Sequence, residues 1–164
     1  KMVYLDILNT AKKYVHIMTP YLILDDETIN ALRYAAKRGV DVKIIMPDIP
    51  DKKYAFLLAH TYYLELMDAG VQIYQFRPGF VHAKVFTSDD TKAVVGSINL
   101  DFRSLYHHFE CAVFMYKNQV VGDIENDFQS TLEKCRRIGR EEILHAPLWE
   151  KWAGTILKLI APMM

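Results

Sequence analysis

The residues best suited to chemistry lie between positions 81 and 99. Six positions in this segment form one pattern: His82, Lys84, Asp89, Gly96, Ser97 and Asn99. They follow the spacing H-x-K-x4-D-x6-G-S-x-N. An imidazole can attack phosphorus or transfer a proton near neutral pH, and an ammonium, a hydroxyl and an amide can each donate hydrogen bonds to an anion. The combination predicts a site that handles a phosphate ester.

The chemistry of each side chain indicates its role in such a site. His82 is the candidate nucleophile or general acid/base. Lys84, Ser97 and Asn99 are the candidate phosphate-binding groups, because each can donate a hydrogen bond to a phosphoryl oxygen. A catalytic imidazole usually needs a partner on its second ring nitrogen, and Glu110 is the candidate for that partner.

Two predicted strands position these groups. Runs rich in β-branched residues span 81–87 and 92–98, and the polar residues 88–91 between them predict a hairpin turn. Residues two apart in a strand share a face, so two pairs should each point one way: His82 with Lys84, and Ser97 with Asn99. Asp89 belongs to the motif and is a candidate catalytic residue, but its place in the turn favours hydrogen bonds to backbone N–H groups.

The rest of the chain alternates between helix and strand patterns. The predicted order before the motif is helix 4–14, strand 14–18, helix 25–39, strand 40–46, a helix that ends at Gly70, and strand 71–76. A third strand over 110–116 and a helix over 121–135 follow the motif. This alternation predicts an α/β fold with a mixed central sheet and helices on both of its faces.

Composition narrows the function classes. The 164 residues carry a formal net charge of zero, which argues against a dedicated nucleic-acid binder because such proteins usually present a basic surface. Cys111 and Cys135 lack metal-ligand spacing and are expected to be packed thiols. No apolar run is long enough to predict a membrane span. The chain begins with Lys1, and we expect it to be a segment of a longer protein.

The spacing around His82 resembles the HKD signature of the phospholipase D superfamily, and all its positions are matched. Further segments are similar to the carboxy-terminal half of bacterial cardiolipin synthases: TPYLILDDETINAL, GVDVKIIMPDIPDK, GFVHAK, GSINLDFRS, HHFE and PLWEKW. The resemblance implies a single phospholipase D-like domain over 1–140. It also carries over a set of active-site residues: His82, Lys84, Ser97, Asn99 and Glu110.

The resemblance further implies phosphatidyl transfer. One phosphatidylglycerol donates its phosphatidyl group through a phosphohistidine, a second accepts it to give cardiolipin, and glycerol leaves. Neither a metal nor another cofactor is expected. The implied partners are the phospholipid and the membrane surface, with no nucleic acid. The implied location is a bacterial cell membrane, with membrane helices upstream and the catalytic domain facing the cytoplasm.

Members of this kind carry two such motifs, whereas this chain has one. The second motif would come from the other half of a longer chain, making His82 the general acid/base, or from a homodimer mate, giving His82 both roles. Two other functions stay open: a homodimeric phospholipase D-type phosphodiesterase or nuclease, and a non-catalytic partner half. The neutral charge argues against the nuclease, and the intact motif argues against the non-catalytic half.

Three more residues are candidates to line the substrate path. The resemblance places Tyr21 near the mouth of the site, and the alternative is a packed tyrosine after a strand. Arg103 could bind a headgroup phosphate or pair with a carboxylate. His107 could line the path or be a solvated loop residue.

Residues 141–164 form an amphipathic tail. One helical face carries four large apolar residues, Trp149, Trp152, Ile156 and Leu159, and Lys151 and Lys158 lie elsewhere on the helix. Aromatic and aliphatic residues with nearby lysines are typical of a helix that lies in a membrane interface. The alternative is an ordinary helix packed on the domain.

Overall fold

A seven-stranded mixed sheet forms the centre of the computed structural model, which describes residues 1–163 apart from the side chains of Leu148 and Lys151. The side chain of Lys151, part of the predicted tail pattern, therefore lies outside what the structure describes. The strands are β1 (Tyr14–Met18), β2 (Asp41–Pro47), β3 (Gln72–Phe76), β4 (Val85–Ser88), β5 (Lys92–Gly96), β6 (Ala112–Tyr116) and β7 (Cys135–Arg137). Their order across the sheet is β6-β5-β4-β1-β2-β3-β7.

Helices cover both faces of this sheet, which confirms the predicted fold class. They are α1 (Met2–Thr10), α2 (Asp26–Lys37), α3 (Lys53–Asp68), α4 (Val120–Leu132), α5 (Arg140–Leu144) and α6 (Leu148–Ile160). Helices α1 to α3 bury the larger apolar core on one face. On the other face α4 packs through Phe128 against Met18, Ile45 and Val85. No helix within residues 1–163 is long and apolar enough to cross a membrane.

The parallel strands at the centre of the sheet follow the predicted alternation of helix and strand. Strands β1, β2 and β3 pair in parallel, and α2 and α3 connect them. Helix α2 begins where expected, because the Asp25 side chain accepts a hydrogen bond from the Thr28 N–H at 2.8 Å. After α2, Gly39 adopts a φ of +89°, a left-handed conformation that favours glycine. The predicted strand 14–18 coincides with β1.

Two predictions about the motif strands are wrong. Residues 81–84 lie before β4, and Ser97 lies beyond the end of β5, so neither predicted pair sits on a strand. Strand pairing stops here because β1, the neighbour of β4, ends with Met18 opposite Val85. One hydrogen bond, from the Gly96 N–H to the Lys84 carbonyl at 3.3 Å, continues the hairpin past that point. Glu110 likewise precedes β6.

The structure also differs from the sequence patterns after the motif. Helix α4 ends at Leu132, and Cys135 begins the short strand β7, which pairs antiparallel with β3. Burial raises the pKa of the half-buried Cys135 thiol to about 11. Cys111, expected to be packed, is exposed.

A π-helical turn, Arg103–His107, occupies the segment predicted as a loop. The His108 N–H donates to the Arg103 carbonyl at 2.9 Å, which closes a turn one residue wider than that of an α-helix. The turn is anchored at its start, where the Asp101 Oδ1 accepts a hydrogen bond from the Ser104 N–H at 2.7 Å. The π-helical turn is therefore held in place directly after the G-S-x-N part of the motif.

Candidate active site

His82 and Lys84 occupy the short segment that leads into β4. The Lys84 side chain is 9% exposed, and its Nζ donates to the His82 carbonyl oxygen at 2.6 Å. The His82 side chain is exposed, and its ring centroid lies 5.5 Å from that of Phe80. Because the ammonium holds the backbone of the histidine, Lys84 fixes the place from which the imidazole projects.

The charges around Lys84 show which acidic groups share the site. Burial lowers the pKa of the Lys84 ammonium, and the negative charges of Glu110, Asp101 and Asp51 partly oppose that effect. These carboxylates come from three separate segments of the chain, so the fold gathers them around one partly desolvated cation. The three negative charges favour the protonated ammonium, which is the form that can donate hydrogen bonds to a phosphoryl oxygen.

Ser97 and Glu110 form the next part of the site. The Ser97 hydroxyl donates to Glu110 Oε2 and accepts a hydrogen bond from the Cys111 N–H at 3.1 Å. Glu110 is therefore a partner of the serine in this structure, whereas no polar partner within residues 1–163 contacts the His82 ring. Its role in orienting the imidazole stays a prediction.

Gly96 has a steric reason to be glycine. A Cβ at this position would lie 2.3 Å from the Cys111 carbonyl oxygen and 2.5 Å from the Ala112 Cα. Both obstacles are backbone atoms of the segment entering β6, which cannot turn aside as a flexible side chain can. The absence of a side chain at Gly96 therefore allows β6 to approach closely enough for Glu110 to reach Ser97.

Asn99 contributes an unpaired acceptor. Its Nδ2 donates to the Ser104 hydroxyl at 3.2 Å. Its Oδ1 is buried and has no hydrogen-bond partner among the described residues. A buried acceptor without a donor is costly, so this oxygen is suited to receive a donor from a ligand.

Asp89 lies in the hairpin turn at the far end of β4. Five residue steps separate it from Lys84, which is about 17 Å along an extended strand. Its carboxylate accepts three backbone N–H groups, those of Lys12, Lys13 and Tyr14, at 2.8 to 3.0 Å. Burial raises the pKa of Asp89, but the three hydrogen bonds outweigh it and the net shift is downward. The carboxylate ties the hairpin to the start of β1, as its place in the turn predicts, and its location does not favour the catalytic role.

A cavity of about 370 Å³ opens beside the motif. Two of the predicted substrate-lining residues, Tyr21 and Arg103, line it together with Asn99. His107 does not, since its Nε2 lies 3.0 Å from the Pro162 carbonyl oxygen at the end of the tail. Lys52, another lining residue, was not predicted because it belongs to no motif spacing.

Asp101 was also missed, although its position two residues after Asn99 offered a signal. It is buried and lines the same cavity. Within the part of the chain that the structure describes, no three histidine, cysteine or acidic side chains gather in a way that could hold a metal ion.

Comparisons with known proteins agree with this fold. The family described as "Cardiolipin synthase, PLD-like domain" matches residues 4–132. An uncharacterized protein of Streptococcus mutans is 60% identical over 99% of the chain and 35% of its own length. A cardiolipin synthase of Clostridium perfringens is 37% identical over 98% of the chain and 34% of its length. The chain thus spans about a third of the length of these curated relatives.

Two solved structures share the architecture. The phospholipase D family member Nuc of Salmonella typhimurium superposes with a TM-score of 0.72 at 23% identity, covering 84% of this chain and 89% of Nuc. The phosphatidylserine synthase of Haemophilus influenzae gives a TM-score of 0.76 at 17% identity, covering 98% of this chain and 42% of the synthase. At these identities the likeness concerns the fold.

Proposed function

Because the chain belongs to the cardiolipin synthase family with a phospholipase D-like domain, we propose that it supplies one half of a phosphatidyltransferase site. The proposed reaction transfers the phosphatidyl group of one phosphatidylglycerol to a second, giving cardiolipin and glycerol. The observation that carries this proposal is the exposed His82 held by a buried ammonium, beside the Ser97–Glu110 pair and an open cavity.

The geometry supports a displacement at phosphorus. Attack by an imidazole nitrogen forms a P–N bond and breaks the P–O bond to glycerol, whose oxygen then takes a proton. Lys84, Ser97 and Asn99 are suited to stabilise the charge on the phosphoryl oxygens. The acceptor hydroxyl next attacks the phosphohistidine, loses its proton and restores the free imidazole.

This sequence of steps needs a second histidine that exchanges the proton with the leaving or attacking oxygen. His107, which contacts Pro162, does not serve this role, and the site presents His82 alone from the motif. We therefore propose that a second motif, from another half of a longer chain or from a second copy, completes the site.

Product analysis tests the proposed reaction. Phosphatidylglycerol labelled in its headgroup glycerol is incubated with the protein in its active assembly, and lipids and free glycerol are quantified by mass spectrometry. We expect cardiolipin and glycerol in equal amounts. Phosphatidic acid with glycerol as the only products would instead indicate a hydrolase. Degradation of added DNA without lipid turnover would favour the nuclease.

We further propose that the tail binds the membrane surface. Helix α6 packs closely on α3, since a Cβ on Gly154 would lie 2.5 Å from Thr61 Cγ2. Its other face exposes four apolar side chains: Trp149, Trp152, Ile156 and Leu159. Together with Met163, in the short 3₁₀ turn after the helix, they form an apolar stripe whose exposed fractions run from 61% to 82%. The helix packs on the domain and still presents an apolar face, which supports the proposed membrane contact.

Replacing Trp149 and Trp152 by alanine is expected to weaken binding to phosphatidylglycerol vesicles at least about tenfold, because two exposed indole rings no longer enter the interface. Co-sedimentation with vesicles measures the effect. Val120→Ala is the control, since Val120 is exposed on α4 at the opposite face of the sheet. Equal loss in the control and the double variant would contradict a role specific to the tail.

A further inference from the structure

The proposed reaction sets a requirement on the acceptor side of the site. A phosphatidylglycerol acceptor carries its own phosphodiester, which stays intact while its terminal hydroxyl attacks the phosphohistidine. Two anions joined by a short glycerol bridge must therefore lie side by side when the second bond forms. The phosphate-binding groups of the motif serve the phosphorus that reacts, so a second set of donors is needed for the other anion.

The cavity beside Asn99 presents such a set. Two of its lining residues, Lys52 and Arg103, are cationic and exposed. Within residues 1–163 no hydrogen bond or ion pair occupies the Arg103 guanidinium, and the Lys52 ammonium contacts only the Tyr21 ring, 5.4 Å from its centroid. A free guanidinium and a free ammonium at one cavity suit a phosphodiester monoanion.

One carboxylate, that of Asp101, lines this cavity, and a second, that of Asp51, contacts the lining residue Tyr21. Asp101 Oδ1 accepts the Ser104 N–H, and the Asp51 carboxylate accepts a hydrogen bond from the Tyr21 hydroxyl at 2.5 Å. Neither carboxylate forms an ion pair with a cation of the described chain. The two cations therefore remain available to an anion from outside.

The π-helical turn that carries Arg103 is held by contacts near both of its ends. The π-helical turn starts from the anchored Asp101, and its last residue contacts Pro162 through the His107 ring. The cavity also reaches Met163, the end of the exposed apolar stripe on the tail. A lipid whose acyl chains lie along the stripe would thus have its headgroup at the cavity.

We propose that this cavity is the subsite for the phosphodiester of the acceptor lipid, with Arg103 and Lys52 binding the phosphate. The inference rests on the proposed phosphatidyl transfer and deepens it, because it makes the choice of an anionic lipid over a neutral alcohol a property of these residues.

A partition experiment tests the subsite. The protein in its active assembly receives phosphatidylglycerol together with ethanol, and the phosphohistidine divides between the two acceptors to give cardiolipin and phosphatidylethanol. In Arg103→Ala and in Lys52→Ala we expect the ratio of cardiolipin to phosphatidylethanol to fall about tenfold, with total glycerol release changed less than about threefold. Arg137→Ala, at the far edge of the sheet on β7, should leave both quantities unchanged.

Three other outcomes would each contradict the proposed acceptor subsite, and each gives a different pattern of products. An unchanged ratio in both variants would show that neither cation selects the acceptor. A proportional loss of both products would show that the cations serve the donor step. A wild-type protein that releases no glycerol would overturn the proposed reaction itself and the subsite with it. Lys52 lies in an exposed loop, so its variant remains informative if Arg103→Ala fails to fold.

Discussion

Replacing His82 by glutamine is expected to lower phosphatidyl transfer at least about 1,000-fold, because glutamine can neither form the phospho-intermediate nor transfer a proton at neutral pH. The side chain is exposed, and its ring lies beside that of Phe80, so the free energy of unfolding should change by less than about 0.5 kcal/mol. Initial rates of cardiolipin formation and thermal melting measure the two effects.

His145→Gln is the matched control, because this histidine is exposed on the turn after α5, away from the motif. It should keep the wild-type rate. A His82→Gln protein that retains a tenth or more of the activity would contradict the central role of the imidazole.

A donor lipid with a nitrophenol leaving group extends the same experiment to the role of His82. Nitrophenolate leaves without a proton, so such a donor restores the first step in His82→Gln if the imidazole acts only as a general acid. It restores nothing if His82 is the nucleophile. The outcome therefore distinguishes a site completed by another half, with its own nucleophile, from a symmetric pair of copies.

Replacing Gly96 by alanine is expected to destabilise the protein by about 2 kcal/mol and to reduce transfer strongly, because the added methyl group overlaps the backbone of the segment entering β6. Relief requires that segment to move, and Glu110 and Ser97 would then separate. Urea denaturation gives the free energy of unfolding, and the assay for cardiolipin gives the activity.

Gly122→Ala serves as the control for that substitution. Gly122 lies within α4, and no atom stands within 4 Å of its added Cβ. Alanine should stabilise the helix by up to about 1 kcal/mol, since glycine is the poorer helix former. If Gly96→Ala showed the same urea midpoint as wild type, β6 would be free to move and the close approach would not explain the glycine.

Local patterns predicted most of the fold. The cap at Asp25, the left-handed Gly39 and the alternation that builds the parallel centre are all encoded within a few residues of where they act. Strand β7 was missed because its first residue, Cys135, continues the helical pattern of α4 and the next two residues are charged. Its pairing with β3 depends on a distant segment. Pairing with a strand distant in sequence determines that residues 135–137 form a strand. Such pairing also determines where β4 begins.

The candidate site likewise has a part that the sequence predicts and a part that depends on tertiary contacts. Motif spacing predicts His82, Lys84, Ser97 and Asn99 as site residues, because the expected chemistry requires those residue types. Spacing cannot show that Glu110 binds the serine, since that contact depends on how closely β5 and β6 approach. Nor can it find Lys52, which lines the cavity because the loop after β2 packs against Tyr21.

The π-helical turn has a consequence for insertions and deletions in this chain. Its extra residue, relative to an α-helical turn, means that loss of one residue between positions 103 and 107 would allow an ordinary helical turn to form. That change rotates every later side chain of the segment by about 100°. The Arg103 guanidinium and the His107 ring could then no longer both keep their present directions. The length of this segment is therefore constrained more tightly than its composition, and related proteins of different length here should differ in what their cavity accepts.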